Sequence, residues 1–425
     1  RRYRINPENE VIQYKLSIMK LFVLRIVRII KKIRKKIYYS LKRIDSNKIV
    51  FKTFQLKYTC NPKYICDEIL RQKLNYDIVW LYKGDDSVIQ DFPEGIRLVK
   101  NNTEVALQEI ATAKVLIDNG SNFFAGVVGK KRKQTSICTW HGSLGFKKLV
   151  LVKKPNGKLH KSVLLYRNTH DYILSNSDFE NQVYRDSYWT KSVLLKYGHP
   201  RNDIFLSKDE YRVRAIREKV YSALKIDPAK KFVLYAPTFR ESMVHNATAY
   251  IPDVIKESGC YDFDVERVVK ALKKRFGGDW VVAVRQHFVN SKNSMLRIAD
   301  SNYAVDATDY PDIQELMVAA DAGVTDYSSW ILDFILTGKP GFIYAVDAED
   351  YELTRGMYYP LKEAPFSVAM SMDELIEKIA EFDVDIYRNE VKLFLDRMGC
   401  VEDGNASIRT VEFIKQITNY YENIK

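Results

Sequence analysis

Paired cysteines are missing from this chain. Its five cysteines, Cys60, Cys66, Cys138, Cys260 and Cys400, are odd in number and scattered, without the spacing of a zinc site or a disulfide scaffold. Buried, reduced thiols in a reducing compartment are the expectation. The Gly-rich loops with which kinases and dinucleotide enzymes cradle phosphate are also absent, which argues against both. There is no serine nucleophile elbow, no cysteine beside a suitable base and no carboxylate spacing that demands a metal, so no metal is expected. Asp85-Asp86 reads as a solvated turn, and Gly277-Gly278 as another. Low-complexity tracts and short repeats are lacking too.

The longest absence is of acidic residues. None occurs from Val11 to Ile44, where Lys20, Arg25, Arg28, Lys31, Lys32, Lys35 and Lys36 stand among further basic residues. Leu16, Met19, Val23, Ile26, Val27, Ile30, Ile33, Ile37 and Leu41 step through the same segment by three and four, the stripe of a long amphipathic helix. Basic residues interrupt the apolar run too often for a bilayer span of about 20 apolar residues. A helix lying on an anionic membrane is the expectation, each basic residue contributing on the order of 1 kcal/mol near the surface. A helix packed on the protein with a solvated basic face, or a coiled-coil or nucleic-acid arm, is the alternative. Tyr38 and Tyr39 fit an interfacial anchor. The chain begins with Arg, as a trimmed sequence would, so upstream signals fall outside it.

The remaining composition is globular: 425 residues, 46% hydrophobic and 12% aromatic, enough for two α/β domains. The net charge of +13 calls for an anionic partner. Buried strands are predicted at Ile49 to Phe54, Asp77 to Tyr82, Ile96 to Val99, Val115 to Asn119, Ser136 to Trp140 and Asp171 to Ser175. Helical stretches such as Pro62 to Leu74 and Thr103 to Ala113 lie between them. The alternation predicts a mostly parallel sheet covered by helices. Tyr197 to Asp203 breaks the periodicity, and a linker near residues 205–228 is taken as the boundary. Strands at Phe232 to Tyr235, Trp280 to Val284, Tyr303 to Val305, Ala322 to Thr325 and Gly341 to Tyr344 then repeat the pattern. The expected organisation is 1–47 as the basic helix, 48–210 as a first Rossmann-like domain and 211–425 as a second, with a cleft between. The closing helices can cross back to the first domain.

Several strand ends carry polar residues of one chemical kind. Ala320 to Asp333 reads as a strand turning directly into a helix through Thr325-Asp326-Tyr327-Ser328-Ser329, where free N–H groups and two hydroxyls suit a phosphate. Ordinary helix capping accounts for the same residues. Thr139-Trp140-His141-Gly142-Ser143 ends another strand, with Lys147 and Lys148 just beyond, so His141 is placed as a general base or as a satisfied core histidine. Arg285 and His287 follow the strand ending at Val284, and Thr238 and Arg240 follow Tyr235; each offers donors to phosphoryl oxygens. Together these ends describe a site for an anionic, phosphate-bearing ligand.

Taken in order, Thr139 to Gly142, Gly198-His199-Pro200-Arg201-Asn202-Asp203, Leu234 to Arg240, Thr325 to Ser329 with Asp333-Phe334, and Arg355-Gly356 resemble the CDP-glycerol glycerophosphotransferase family of teichoic acid synthesis. The resemblance implies a GT-B fold and attachment to the cytoplasmic face of the bacterial membrane. It also implies transfer of a polyol phosphate from a CDP-linked donor to a hydroxyl of a lipid-linked glycan or polyol-phosphate acceptor, with release of CMP. The first domain would then take the acceptor and the second the CDP-glycerol donor, with no further cofactor. The histidines essential in that family map onto His141 and His287, although Arg285-Gln286-His287 stands where the family has Lys-x-His. Thr238, Arg240, Arg285, Thr325, Asp326, Ser328, Ser329, Arg355 and Gly356 become donor-binding candidates, and Lys147 and Lys148 steer acceptor or phosphate. A CDP-ribitol transferase, a UDP-sugar glycosyltransferase and an inactive polyanion-binding scaffold are the alternative readings; nucleic-acid binding is disfavoured by concentration of charge on one striped helix.

Overall fold

A computed structural model describes residues 33–120, 130–149, 169–187, 189, 191–238, 263–286, 302–348, 351–352 and 356–420, with 23, 25–27 and 30 of an N-terminal helix. Its core is two parallel sheets. The first comprises β1 (Asp45–Lys52), β2 (Asp77–Tyr82), β3 (Arg97–Lys100), β4 (Ala113–Asp118), β5 (Thr135–Cys138), β6 (Tyr172–Ser175) and β7 (Val193–Lys196), in the order β3-β2-β1-β4-β5-β6-β7. The second comprises β8 (Lys231–Tyr235), β9 (Trp280–Val284), β10 (Ala304–Asp306), β11 (Ala322–Thr325), β12 (Gly341–Tyr344) and β13 (Ser367–Ala369), in the order β10-β9-β8-β11-β12-β13. Every neighbouring pair is parallel. In both sheets the order reverses beside the first strand, between β1 and β4 and between β8 and β11. Such a switch point opens a crevice at the carboxyl ends of the strands.

Continuous apolar strands such as Asp77-Ile78-Val79-Trp80-Leu81-Tyr82 are buried on both faces, as a parallel sheet under helices requires. The helices are α1 (Cys60–Arg71), α2 (Glu104–Thr112), α3 (Asp178–Arg185), α4 (Glu210–Leu224), α5 (Val265–Phe276), α6 (Ile313–Ala319), α7 (Trp330–Phe334), α8 (Met372–Ala380), α9 (Val384–Met398) and α10 (Ala406–Thr418). Most start where an Asp, Ser or Thr side chain accepts a backbone N–H, as Thr103, Ser177, Asp209 and Asp264 do. Helix α10 returns to the first sheet, where Val411 and Ile414 share a core with Ile65, Trp80 and Ile117.

Three expectations change. The strand at Ser136 to Trp140 stops at Cys138, because Trp140 takes a left-handed backbone with φ of 51°. The helix from Ser329 tightens into a 3-10 turn at Ile335–Thr337 and ends on Gly338. Tyr39 is buried against Leu107 and Ala111 and donates to Glu104, which also binds Lys35, so this tyrosine docks the N-terminal helix on the protein. Cys60, Cys66, Cys138 and Cys400 are free thiols, and Cys260 lies outside the described residues.

Buried charge joins the two sheets. Lys63 on α1 donates to Asp312 at 2.6 Å and to Glu315 at 2.7 Å, and Tyr64 reaches Asp312 at 3.1 Å. Burial works against the Lys63 ammonium, but the two carboxylates raise its pKa above the ordinary lysine value. Lys63→Met leaves Asp312 and Glu315 facing each other without their shared cation, and a destabilisation of about 3 kcal/mol is expected in urea unfolding. An unchanged midpoint would show that this contact does not hold the sheets together.

Candidate active site

Beyond β5 the chain is held by a set of backbone acceptors and donors. Thr139 donates from its amide to the Asp118 carbonyl at 2.7 Å, and the Asn61 amide on α1 donates to the Thr139 and Trp140 carbonyls at 2.9 and 3.3 Å. His141 follows, its Nδ1 lying 2.7 Å from the carbonyl of Asn119, the first residue after β4. A carbonyl only accepts, so Nδ1 carries the proton and Nε2 of the neutral ring is left as the base. Phe54, just past β1, donates its backbone N–H to the Asn119 side-chain oxygen at 2.8 Å and stacks on the imidazole with centroids 5.8 Å apart. Trp140 covers it at 4.1 Å. His141 therefore sits over the switch point of the first sheet with an exposed edge. Loss of water around the ring lowers its pKa below the ordinary histidine value; the Asn119 bond opposes this, and the Arg201 and Lys147 cations add to it.

From His141 the chain passes onto the second sheet's layer. Leu144 and Phe146 are buried in the second core. Gly145 lies so close to α7 that a Cβ there would stand 3.4 Å from the Ser329 Cβ. Lys147 bridges antiparallel to Met357, the Lys148 amide donates to the Gly356 carbonyl at 3.1 Å, and the Tyr358 amide donates to the Phe146 carbonyl at 2.7 Å. Gly356 has φ of 73°, and a Cβ on it would press the Lys148 side chain at 3.2 Å. Two segments the sequence nominated separately, Lys147-Lys148 and the one containing Gly356, are thus side by side.

At the second switch point, Asp326 accepts from the Thr238 amide at 2.8 Å and from the Tyr327 amide at 2.6 Å. It ties the end of β8 to the end of β11 and is not the cap of α7. Thr325 is fully buried and donates its hydroxyl to the Ala236 carbonyl at 2.8 Å, which makes it a brace under the turn, not a ligand contact. Ser328 and Ser329 are half-buried at the start of α7, and neither appears there as a side-chain cap. Arg285 donates from Nη1 to the Ala307 and Tyr310 carbonyls at 3.3 and 2.5 Å, which ties the end of β9 to the loop after β10. His287, Arg240 and Arg355 lie outside the described residues, as do Lys20, Arg28, Lys31 and Lys32.

The motif Gly198 to Asp203, read from the sequence as a break in periodicity and a family motif, is a buried junction. His199 is buried 3.1 Å from Glu180, Asn202 donates to Asp333 and Glu402, and Asp203 accepts the first amides of α10 at 2.9 and 2.7 Å. Arg201 and Asp333 form a buried ion pair at 2.9 Å. Asn61, Asn119, Arg201 and Asp333 were not singled out individually from the sequence; Asn119 was detectable as the polar residue ending a buried strand. Asp118, Cys138 and His170 bring ligand atoms within 4.8 Å of one another and could hold a metal, although His170 and Asp118 already share a 3.0 Å bond and Cys138 donates to Gly120.

Comparison with known proteins bears on this arrangement. A family model described as CDP-Glycerol:Poly(glycerophosphate) glycerophosphotransferase matches residues 34–416. A teichoic acid poly(glycerol phosphate) polymerase of Staphylococcus epidermidis is 28% identical over 380 residues, covering 84% of this chain and 49% of that protein. A teichoic acid ribitol-phosphate primase of Bacillus spizizenii is 26% identical over 403 residues, covering 93% of this chain and 98% of that one. The chain thus spans about half of the polymerase and nearly all of the primase. The solved structure of the wall teichoic acid polymerase TagF superposes with a TM-score of 0.75 at 25% identity, covering 99% of this chain and 100% of that one.

Two histidines should titrate on opposite sides of the ordinary value of about 6.5. His141 is held low chiefly by loss of water; burial also opposes charge on His199, but Glu180 outweighs it and raises the pKa. Imidazole resonances followed by NMR should therefore show a His141 midpoint below that of His199. A His141 midpoint above that of His199 would contradict the environment described for each.

Proposed function

The chain belongs to the CDP-glycerol:poly(glycerophosphate) glycerophosphotransferase family, and we propose that it transfers glycerol phosphate from CDP-glycerol to a hydroxyl of a lipid-linked acceptor or growing teichoic acid chain, releasing CMP. The observation that carries this reading is the fixed tautomer of His141, whose Nδ1 is held by Asn119 so that Nε2 remains as a base at the mouth of a crevice. The acceptor hydroxyl gives its proton to Nε2 as its oxygen attacks the β-phosphorus in line, and the bond from that phosphorus to the bridging oxygen of CMP breaks. Lys147, Lys148 and the Ser328–Ser329 turn are assigned to the phosphate charge, and Gly356 to the close approach of Lys148. His287, Arg240 and Arg355 join them by motif. Thr238 and Asp326 set the turn's shape. The contact of Gly145 with Ser329 supports a GT-B arrangement in which both switch points serve one ligand.

The N-terminal helix supports attachment to the cytoplasmic face of the membrane. Val23, Ile26, Val27, Ile30, Ile33, Ile37 and Leu41 are exposed, from 40% to 80%, beside Arg25 and Lys36. No helix among the described residues is long and apolar enough to cross a bilayer. Such a stripe lies in the interface with its cations toward anionic headgroups. Ile33→Asp with Ile37→Asp should abolish co-sedimentation with vesicles containing phosphatidylglycerol while CMP release from a soluble acceptor persists. Undiminished sedimentation would remove the helix from this role.

The catalytic reading is tested by supplying CDP-glycerol and CDP-ribitol separately with a lipid-linked acceptor and measuring CMP and product length. CDP-ribitol is the second donor because the ribitol-phosphate primase matches over nearly its whole length. His141→Ala should lower turnover about 10²- to 10⁴-fold without loss of fold. Wild-type turnover in that variant would exclude His141 as the base.

A further inference from the structure

Arg201 is 2% exposed, and its partners come from α1, from α7 and from the segment after β5. Its Nε donates to Asp333 Oδ2 at 2.9 Å, its Nη2 donates to the Gly142 carbonyl at 2.8 Å, and its Nη1 lies 3.7 Å from the Cys60 sulfur. Its own amide donates to Asn61 Oδ1 at 3.1 Å, and the same Asn61 side chain holds the Thr139 and Trp140 carbonyls. Gly142 is the residue after His141. Asp333 stands one helical turn beyond Ser329 on α7, where Asn202 also donates to its other oxygen at 3.0 Å.

We propose that Arg201 is a positioning residue for the transfer reaction, its planar guanidinium fixing the spacing between the His141 loop and the Ser328–Ser329 turn. The inference rests on the transferase reading given above. It names a part that reading does not contain: a rigid fork that touches neither base nor phosphate site, but the backbone beside one and the helix behind the other. Only arginine presents several N–H donors in a plane; lysine supplies the charge without the fork. The cation also stands near the base. The charged groups acting on His141 are Arg201 and Lys147, which hold its pKa down, and Asp118, which raises it; on Arg201 the charged partner is Asp333, with the neutral Cys60 sulfur beside it.

The test compares Arg201→Lys, Asp333→Asn and the double variant Arg201→Met/Asp333→Leu, which removes both buried charges together and so spares the fold the cost of an unpaired one. Melting, kcat and KM with CDP-glycerol, and the NMR titration of His141 without substrate are measured for each. For the double variant, kcat should fall about tenfold to a hundredfold with KM little changed, and the His141 midpoint should rise. Arg201→Lys should lose a similar part of kcat while the midpoint stays near wild type. A folded double variant with wild-type kcat overturns the proposal, as does full turnover in Arg201→Lys. If the double variant does not fold, Arg201→Lys and Asp333→Asn decide: loss of kcat at an unchanged melting temperature supports positioning, and unchanged kcat overturns it. If wild-type protein releases no CMP from either CDP-polyol, the transferase reading fails by itself, and a His141 midpoint unmoved in the double variant still counts against coupling through Arg201.

Discussion

A guanidinium removed from water must direct its N–H groups onto protein acceptors, and Arg201 directs them onto two different sheets' worth of structure. The pair it makes with Asp333 is sealed, and a sealed ion pair contributes little net stability, because dehydration of both charges offsets their attraction. What it does impose is geometry: the site can relax neither toward Gly142 nor toward α7 without leaving a buried charge unmet. Lys63 between Asp312 and Glu315 applies the same constraint at α1 and α6. Tyr359, donating to the Leu144 carbonyl, closes a third contact on the far side of the crossing loop.

In the proposed reaction these ties matter because each sheet alone offers half of what the transfer needs. The crevice of the first sheet supplies a neutral imidazole, through Asn119 on one switch-point strand and Phe54 beyond the other. That of the second supplies a turn of amides and hydroxyls, shaped by Asp326 across β8 and β11. On the proposed reading, a base and an anion-binding turn on separate layers become one site only when their separation is set. The crossing segment from Leu144 to Lys148 sets it, being covalently part of the first unit and packed in the second core.

The alternation of apolar runs made the sheets legible: Asp77 to Tyr82, Trp280 to Val284, Ala322 to Thr325 and Gly341 to Tyr344 stand where hydrophobicity put them. Strands β7 and β13, at the far edges of the two sheets, were not among the expected strands. Which polar residues collect at strand ends was also readable, since chain order places them there. Their partners were not. Arg285 resembled a phosphate ligand by position, and only the fold brings the Ala307 and Tyr310 carbonyls to it. The Thr325 hydroxyl likewise meets a partner, the Ala236 carbonyl, that chain order does not show. Gly198 to Asp203 read only as a break in periodicity and a motif, since Gly and Pro break periodicity whether a segment is exposed or buried.

Trp140 shows how the base is held against local preference. A bulky residue at φ of 51° carries a backbone cost of about 1–3 kcal/mol, and nothing in its own side chain favours that conformation. Two aromatic contacts, over His141 at 4.1 Å and edge-on to Trp189 at 4.9 Å, return roughly 0.5–1.5 kcal/mol each. The balance is near zero, so stacking alone does not select the bend. Asn61 decides it by donating its side-chain amide, which would otherwise be buried without acceptors, to the peptide carbonyls before and after Trp140. A strand continuing through Trp140 would carry the imidazole past the sheet edge; the bend brings Nδ1 back to Asn119. The strain thus resides one residue before the base, and the α1 side chain that compels it is also the one that holds the Arg201 amide.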